Sequence, residues 1–250
     1  MNDTLKTIHS LRSIHGNFSD RAVPDEELQT ILQACVRAAN ASARQSYSIV
    51  VIDDREMMKQ LCGYAGSRGL LFCVDYTRLV AQANHLGHPF KAGGTTAFVT
   101  GSIDTILAAQ TAAIAAKSLG IDSLFTNGIH RGDIQRVYRL LGLPEKYCFP
   151  LIMLILGYPA EEPSFQKGRL SGPAIIHYGQ YHSLTPDELA ALVQEYDDPE
   201  RHLGLTEAWR EKGFAHYLDW FYTTWVGAPP KTDAKSQLAE ILEQRGFGYP

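Results

Sequence analysis

The chain has 250 residues, enough to bury a sizeable core as one large domain or two small ones. Hydrophobic residues make up 45% and charged residues 20%, the balance of an ordinary soluble protein. The formal net charge of -4 excludes a general affinity for nucleic acid or acidic membranes, and the longest apolar run, Phe149 to Leu156 with Pro150 inside it, is too short to span a bilayer.

The N-terminal "MNDTLKTIHSLRSIHGNF" has no apolar core of the signal-peptide kind and reads as an arm. "VPDEELQTILQACVRAAN" follows as a helix. Pro24 suits its first turn, Asp25, Glu26 and Glu27 complement its N-terminal dipole, and Leu28, Ile31, Leu32, Cys35, Val36 and Ala39 recur at helical spacing. Ser46 to Asp53 reads as a strand and Arg55 to Cys62 as a short helix. Leu70 to Tyr76 is a second strand, apolar throughout and so buried on both faces. Thr77 to Thr100, rich in Gly, His and Ala, reads as irregular, a flap over a site. "SIDTILAAQTAAIAAKSLG" is an Ala-rich helix closed by Gly120, whose small side chains suit the centre of the molecule.

"IDSLFTNG" is a third strand ending at Asn127-Gly128. "GDIQRVYRLLGLP" is a helix stopped by Gly142, and "CFPLIMLILGYP" a fourth strand. Beyond Arg169 the character changes. Leu184 to Tyr196 is helical with Thr185 as N-cap and Pro186 at N1, "AWREKGFAHYLDWFYTTW" is dense in aromatic rings, and "SQLAEILEQRGF" is a last helix. No repeat or low-complexity linker divides the chain. The alternation argues for one α/β or α+β domain with a C-terminal extension. Cys35, Cys62, Cys73 and Cys148 form no C-x-x-C pair, so neither a zinc site nor a redox dithiol is signalled. Cys35, Cys73 and Cys148 lie among apolar residues as reduced core thiols, which points to a cytoplasmic setting.

Hydrolytic and metal signatures are missing: there is no G-x-S-x-G, H-E-x-x-H or P-loop. His85 and His88 stand beside Gly87 and Pro89 and read as loop residues rather than ligands. Three polar clusters remain: "RSIH", "NASARQSYS" and "FTNGIHRG". A fourth feature is Lys167-Gly168-Arg169, just past the fourth strand. Residues i and i+2 of an extended segment point the same way, so Lys167 and Arg169 converge on one spot, as a phosphate dianion requires. A solvated basic turn is the plainer account of those three residues alone.

In this order and spacing the motifs resemble the nitroreductase family of FMN-dependent oxidoreductases, and within it the larger, oxygen-insensitive branch that includes flavin reductases. The family's R/H-x-S-x-R/K arm corresponds to "LRSIH", its Ser/Asn turn to "RAANASARQSYSIVV", its glycine-bearing strand-end loop to "FTNGIHR", and its G-[WY]-P with a later K-x-R to "LGYPAEEPSFQKGRL". The resemblance spans roughly the whole chain. It implies an α+β fold, a central mixed sheet flanked by helices. It also implies a single domain with an FMN-binding core over residues 1–160 and a phosphate-binding, dimer-wrapping extension over 161–250.

The resemblance further implies FMN as bound cofactor, NAD(P)H as co-substrate, and ping-pong delivery of electrons to a small acceptor such as a nitroaromatic, a quinone or a free flavin. Lys167, Arg169, Arg12 and Ser13 would bind the phosphate. Asn40, Ala41, Ser42 and Gln45 would hold the ring, partly from a partner subunit, and Thr126, Asn127 and Gly128 would pass near flavin N5. A homodimer is implied, and the Ala-rich helix with the aromatic Trp209–Trp225 segment offers apolar surface for it. No protein nucleophile is required. The alternatives are an offshoot with a dedicated substrate, such as a dehalogenase or ene-type reductase, and a flavin-binding sensor. Three departures stand out. Leu11 occupies the place of the arm's first cation, so Arg12 or His9 would substitute. His15 occupies that of its second: either His15 faces flavin N1 and O2, or a Gly16-Asn17 insertion swings it away and Arg12 or Arg68 supplies the charge. The segment between the first two strands is also short. Tyr64 or Arg68 would replace an absent flavin-edge amide, and Arg201, Arg210 and Lys212 are candidate readers of a 2'-phosphate.

Overall fold

The computed structural model describes residues 1–227 and 237–248, which divide into two compact units: 1–162 with 237–248, and 163–227. The first unit is built on four strands, β1 (Tyr47–Ile52), β2 (Arg68–Asp75), β3 (Asp122–Thr126) and β4 (Cys148–Gly157). Their order across the sheet is β1-β2-β4-β3, and every neighbouring pair is antiparallel. The expected mixed sheet is therefore antiparallel in its strands, and parallel pairing enters through a bridge between Ser13 of the arm and Ser123 of β3. β2 lies inside the sheet and is buried along nearly its whole length, as its unbroken apolar run requires. Pro150 is tolerated in β4 because the β2–β4 register shifts there: Phe72 faces Ile152, and Cys73 faces Pro150.

Helices cover both faces. On one, α2 (Asp25–Cys35) and α5 (Thr95–Ser118) pack Leu28, Ile31, Cys35, Ala108, Ala109, Ala112, Ala113 and Ala116 against Leu70, Phe72, Leu154 and Leu156. On the other, residues of α3 (Arg55–Cys62), α6 (Gln135–Leu141) and α9 (Gln237–Gln244) join a cluster around Leu71, Cys73, Phe149, Met153 and Ile155. Residues 237–248 thus return to their own chain's core: Gly94 donates to Gly246 O at 2.8 Å, Tyr147 to Arg245 O at 2.9 Å, and Phe247 sits beside Tyr76 and Phe98. All four cysteines are buried and free. α5 is long and apolar enough to cross a membrane by length and composition, but one of its faces carries the alanines that pack on the sheet.

Two expectations change. The N-terminal arm begins as a helix, α1 (Asp3–His9), capped by the Asn2 side chain. Thr77 to Thr100 is not irregular throughout: it holds α4 (Thr77–His85), and α5 begins at Thr95, seven residues before the Ala-rich stretch. The second unit contains α7 (Pro186–Asp197) and α8 (Tyr217–Trp220), with Trp209, Tyr217 and Trp220 as its buried centre.

Candidate functional site

The arm follows α1 and lies against the β3 edge of the sheet. Ile14 donates to Ser123 O at 3.0 Å and buries its side chain, while Ser13 and His15 on either side are exposed, the alternation of an extended segment on an edge. Neither the Ser13 hydroxyl nor the His15 ring hydrogen-bonds any described residue. Arg12 is occupied. It donates to both carboxylate oxygens of Asp122, from Nε at 3.0 Å and from a terminal nitrogen at 2.6 Å, and pairs with Glu162 at 2.9 Å. Lys117 of α5 donates to the same Asp122 at 2.7 Å. Burial pushes the Asp122 carboxyl up, but the hydrogen bonds from Arg12 and Lys117 outweigh it and hold it below its ordinary range. Arg12 in turn is held above its ordinary value, chiefly by Asp122.

Thr126 closes β3. Its hydroxyl accepts from Gly128 N at 3.0 Å, Asn127 is exposed, and Gly128 is buried. A Cβ at Gly128 would collide with the backbone carbonyl of Cys62 at the end of α3. The glycine expected for close approach to a ring is demanded by this chain's own packing. Arm and loop share the β3 edge, Ser123 and Thr126 being about 10 Å apart at 3.3 Å per residue.

The turn at 40–45 stands elsewhere, ahead of β1 on the opposite edge. It is held by Asp104, a fully buried carboxylate in the middle of α5 that accepts from Ala41 N at 2.8 Å and Ser46 N at 3.1 Å. Asn40 Oδ1 accepts from Gln45 N at 3.1 Å, and Gln45 Nε2 reaches Val36 O and the Tyr47 hydroxyl. Ser42, Ala43 and Gln45 all adopt positive φ, so the turn is strained and pinned rather than loose. Three strand spacings, about 14 Å, separate the two edges. Along the sheet, Ser123 is level with Leu156 and Tyr47 with Val74 and Phe149, which adds about 23 Å. Arm and turn of one chain occupy diagonally opposite corners.

In the second unit, Gly168 donates to His202 O at 3.2 Å, and a Cβ there would overlap the Arg201 carbonyl. The Lys167 ammonium reaches Gly204 O and lies 5.3 Å from the centre of the Phe165 ring, which stacks on His202 at 4.0 Å. Arg169 folds back on the carbonyls of Lys167 and Gly168, at 3.3 and 2.8 Å. The two cations therefore take different acceptors rather than one, and both are exposed with no carboxylate partner among the described residues.

Of the other candidates, Arg68 is consumed by Asp25, Asp53 and the Val23 carbonyl, and Tyr64 packs near Gly16. Arg201 pairs with Glu195, and Arg210 donates to Asp197 O over the Trp209 ring. Lys212 lies 5.5 Å from the Trp220 ring centre. No group of three or more metal-ligating residues occurs among the described residues. Asp104, Asp122 and Lys117 were not read from the sequence as site residues. The usable signal was an acid inside an otherwise apolar helix in "SIDTILAA" and another opening a strand in "GIDSLF".

Residues 8–84 match the Nitroreductase family. An FMN reductase [NAD(P)H] from Bacillus subtilis is 31% identical over 99% of this chain and 98% of its own. An NADPH-flavin oxidoreductase of Vibrio harveyi is 33% identical over 79% of this chain and 80% of its own. Among solved structures, NfrA2 of B. megaterium superposes with a TM-score of 0.81 at 30% identity, covering 100% of both chains. The NADPH:FMN oxidoreductase of Vibrio harveyi complexed with NAD+ does so with 0.77 at 26% identity, covering 98% of this chain and 99% of its own. With a sheet edge carrying the arm, a pinned turn at the opposite corner and end-to-end likeness to these proteins, the chain belongs to the nitroreductase family.

Proposed function

We propose that this protein is an FMN-dependent NAD(P)H oxidoreductase that works as a homodimer and passes electrons to a small acceptor, a nitroaromatic, a quinone or a free flavin, in ping-pong fashion. The observation that carries the reading is the set of unspent donors. Among the described residues, the Ser13 and His15 side chains have no hydrogen-bond partner, and the hydrogen bonds of Lys167 and Arg169 go to backbone carbonyls. The hydroxyl and imidazole of the first unit, and separately the ammonium and guanidinium of the second, are donor types that the phosphate of a flavin nucleotide takes. Thr126, Asn127 and Gly128 lie farther along the same edge, where the ring would extend. When bound, FMN supplies hydride acceptance from NAD(P)H and its delivery to the second substrate.

Asn40, Ala41, Ser42 and Gln45 occupy the far corner, so we assign them to the ring bound by a second copy. α5 supplies a surface for that copy. Val99, Ile103, Ile106 and Leu107 are 52, 55, 52 and 41% exposed along one stripe, on a helix whose other face is packed. Residues 237–248 are tied to their own core, so any wrapping of the partner falls to the second unit. The four free, buried thiols suit a reducing cytoplasm. Purified protein should be yellow with an oxidised-flavin spectrum, bleach on anaerobic NADPH or NADH, and give parallel double-reciprocal lines when both substrates are varied. A colourless protein that binds no added FMN would overturn the reading.

A further inference from the structure

We propose that Asp122 is a positioning residue and that Arg12, which the resemblance carries to the phosphate, serves instead as the latch through which Asp122 fixes the arm. The inference rests on the flavin reading above. The Arg12 guanidinium spends Nε and one terminal nitrogen on Asp122, with its second acceptor on Glu162. Lys117 meets the same carboxylate from α5. Two cations and two carboxylates cancel, so Arg12 offers a phosphate little net charge. Asp122 is 3% exposed and opens β3, one residue before Ser123, to which the arm is bridged. The grip is planar and bidentate, so it fixes direction as well as distance. Backbone pairing at Ile14 and the Arg12 clamp hold the arm on both sides of Ser13. That leaves the Ser13 and His15 side chains facing outward together.

The latch and the direct-ligand assignment differ in sign and in salt response. Asp122→Asn removes a negative charge near the arm, which by Coulomb attraction alone strengthens binding of a dianion. Loss of positioning weakens it. Arg12→Met frees the arm while leaving the Lys117–Asp122 pair in place, so it guards against an Asp122 variant that fails to fold. Full-length parent and variants are compared, with and without added FMN, by hydrogen exchange at the Ile14 amide and by FMN fluorescence quenching at low and high salt. We expect exchange at Ile14 to rise roughly tenfold in flavin-free Arg12→Met, as a locally freed segment does. FMN affinity should fall roughly tenfold, the scale of losing an outer partner that orients a binding group. The salt dependence of binding should stay that of the parent. Arg12→Lys, which keeps the charge without the bidentate grip, should fall between. Unchanged Ile14 exchange in Arg12→Met, a flattened salt dependence, or tighter FMN binding by Asp122→Asn would each overturn the latch. A parent that binds no FMN overturns the functional reading instead, and the exchange rates alone then decide the latch.

Discussion

Gly128 shows how one residue can be legible while its reason is not. The sequence places a glycine where a strand stops beside a site, and close approach to a ligand is the ready explanation. Its actual neighbour is the Cys62 carbonyl, at a distance no Cβ tolerates. Backbone cannot rotate away as a side chain does, so Gly128→Ala should cost about 1–3 kcal/mol of stability, the range of overpacking. Thermal unfolding of flavin-free protein reads it; an unshifted midpoint would mean that α3 yields without cost. Arg169 is the contrasting case. It is exposed, and its hydrogen bonds among the described residues go to neighbouring carbonyls, so Arg169→Ala should leave the melting temperature alone. If it grips the phosphate, FMN affinity should fall roughly ten- to a hundredfold, one charge-assisted contact of about 1.5–3 kcal/mol. Equal affinity in parent and variant sinks that role. Arg12 looks like Arg169 in sequence. Only the fold reveals that one is spent on Asp122 and the other is not.

Elements were legible where local signals agreed. α2 announces itself by period and acidic first turn, and α7 by Thr185 and Pro186; the structure adds the Asp54 side-chain cap of α3 and the capping box that Glu188 closes on α7. The missed start of α5 has a physical cause. Thr95, Thr96, Val99, Thr100 and Gly101 are poor helix formers, and the contacts this segment makes are tertiary: the Tyr76 hydroxyl donates to Ala97 O at 2.8 Å, and Val74 and Tyr76 leave no room for a side chain at Gly101. Likewise α4 takes its start from Asp75, which accepts from Thr77 N and hydroxyl at 2.8 and 2.6 Å, a cap supplied by the preceding strand. The joint between α7 and α8 carries a testable pH response. His216 Nδ1 meets Asp197 at 2.6 Å, and that hydrogen bond holds the imidazole above its ordinary value of 6.5. A raised folded pKa favours the folded state fully below that ordinary value, and the contribution is lost as pH climbs through the folded pKa. All three tryptophans, Trp209, Trp220 and Trp225, lie in this second unit, so their fluorescence reports it selectively. The fluorescence-detected melting temperature of the parent should decline from about pH 6 to 8 relative to His216→Asn. Parallel profiles would remove the pair from the account.

At the scale of the whole molecule, the site set is split by the sheet itself. The arm lies on the β3 edge and the turn ahead of β1 at the opposite corner, with two strands between. On the dimer reading proposed above, a two-fold axis would bring the turn of each copy to the arm edge of the other, which the separation within one chain does not. The same axis needs an apolar patch that meets itself, and the stripe of Val99, Ile103, Ile106 and Leu107 on α5 supplies one. Ile103 is 55% exposed, so Ile103→Asp leaves the monomer fold intact but sets a carboxylate on the patch of both copies at once. Burying even one such unpaired charge costs several kcal/mol, enough to undo an interface of ordinary strength. The expected result is a monomer by light scattering at micromolar concentration that has also lost its flavin, while the far-ultraviolet dichroism is kept. Two other results would be informative. A dimer that keeps FMN places the interface away from this stripe. A monomer that keeps FMN means that the turn of residues 40–45 takes no part in holding the ring, and the far corner must then have another use.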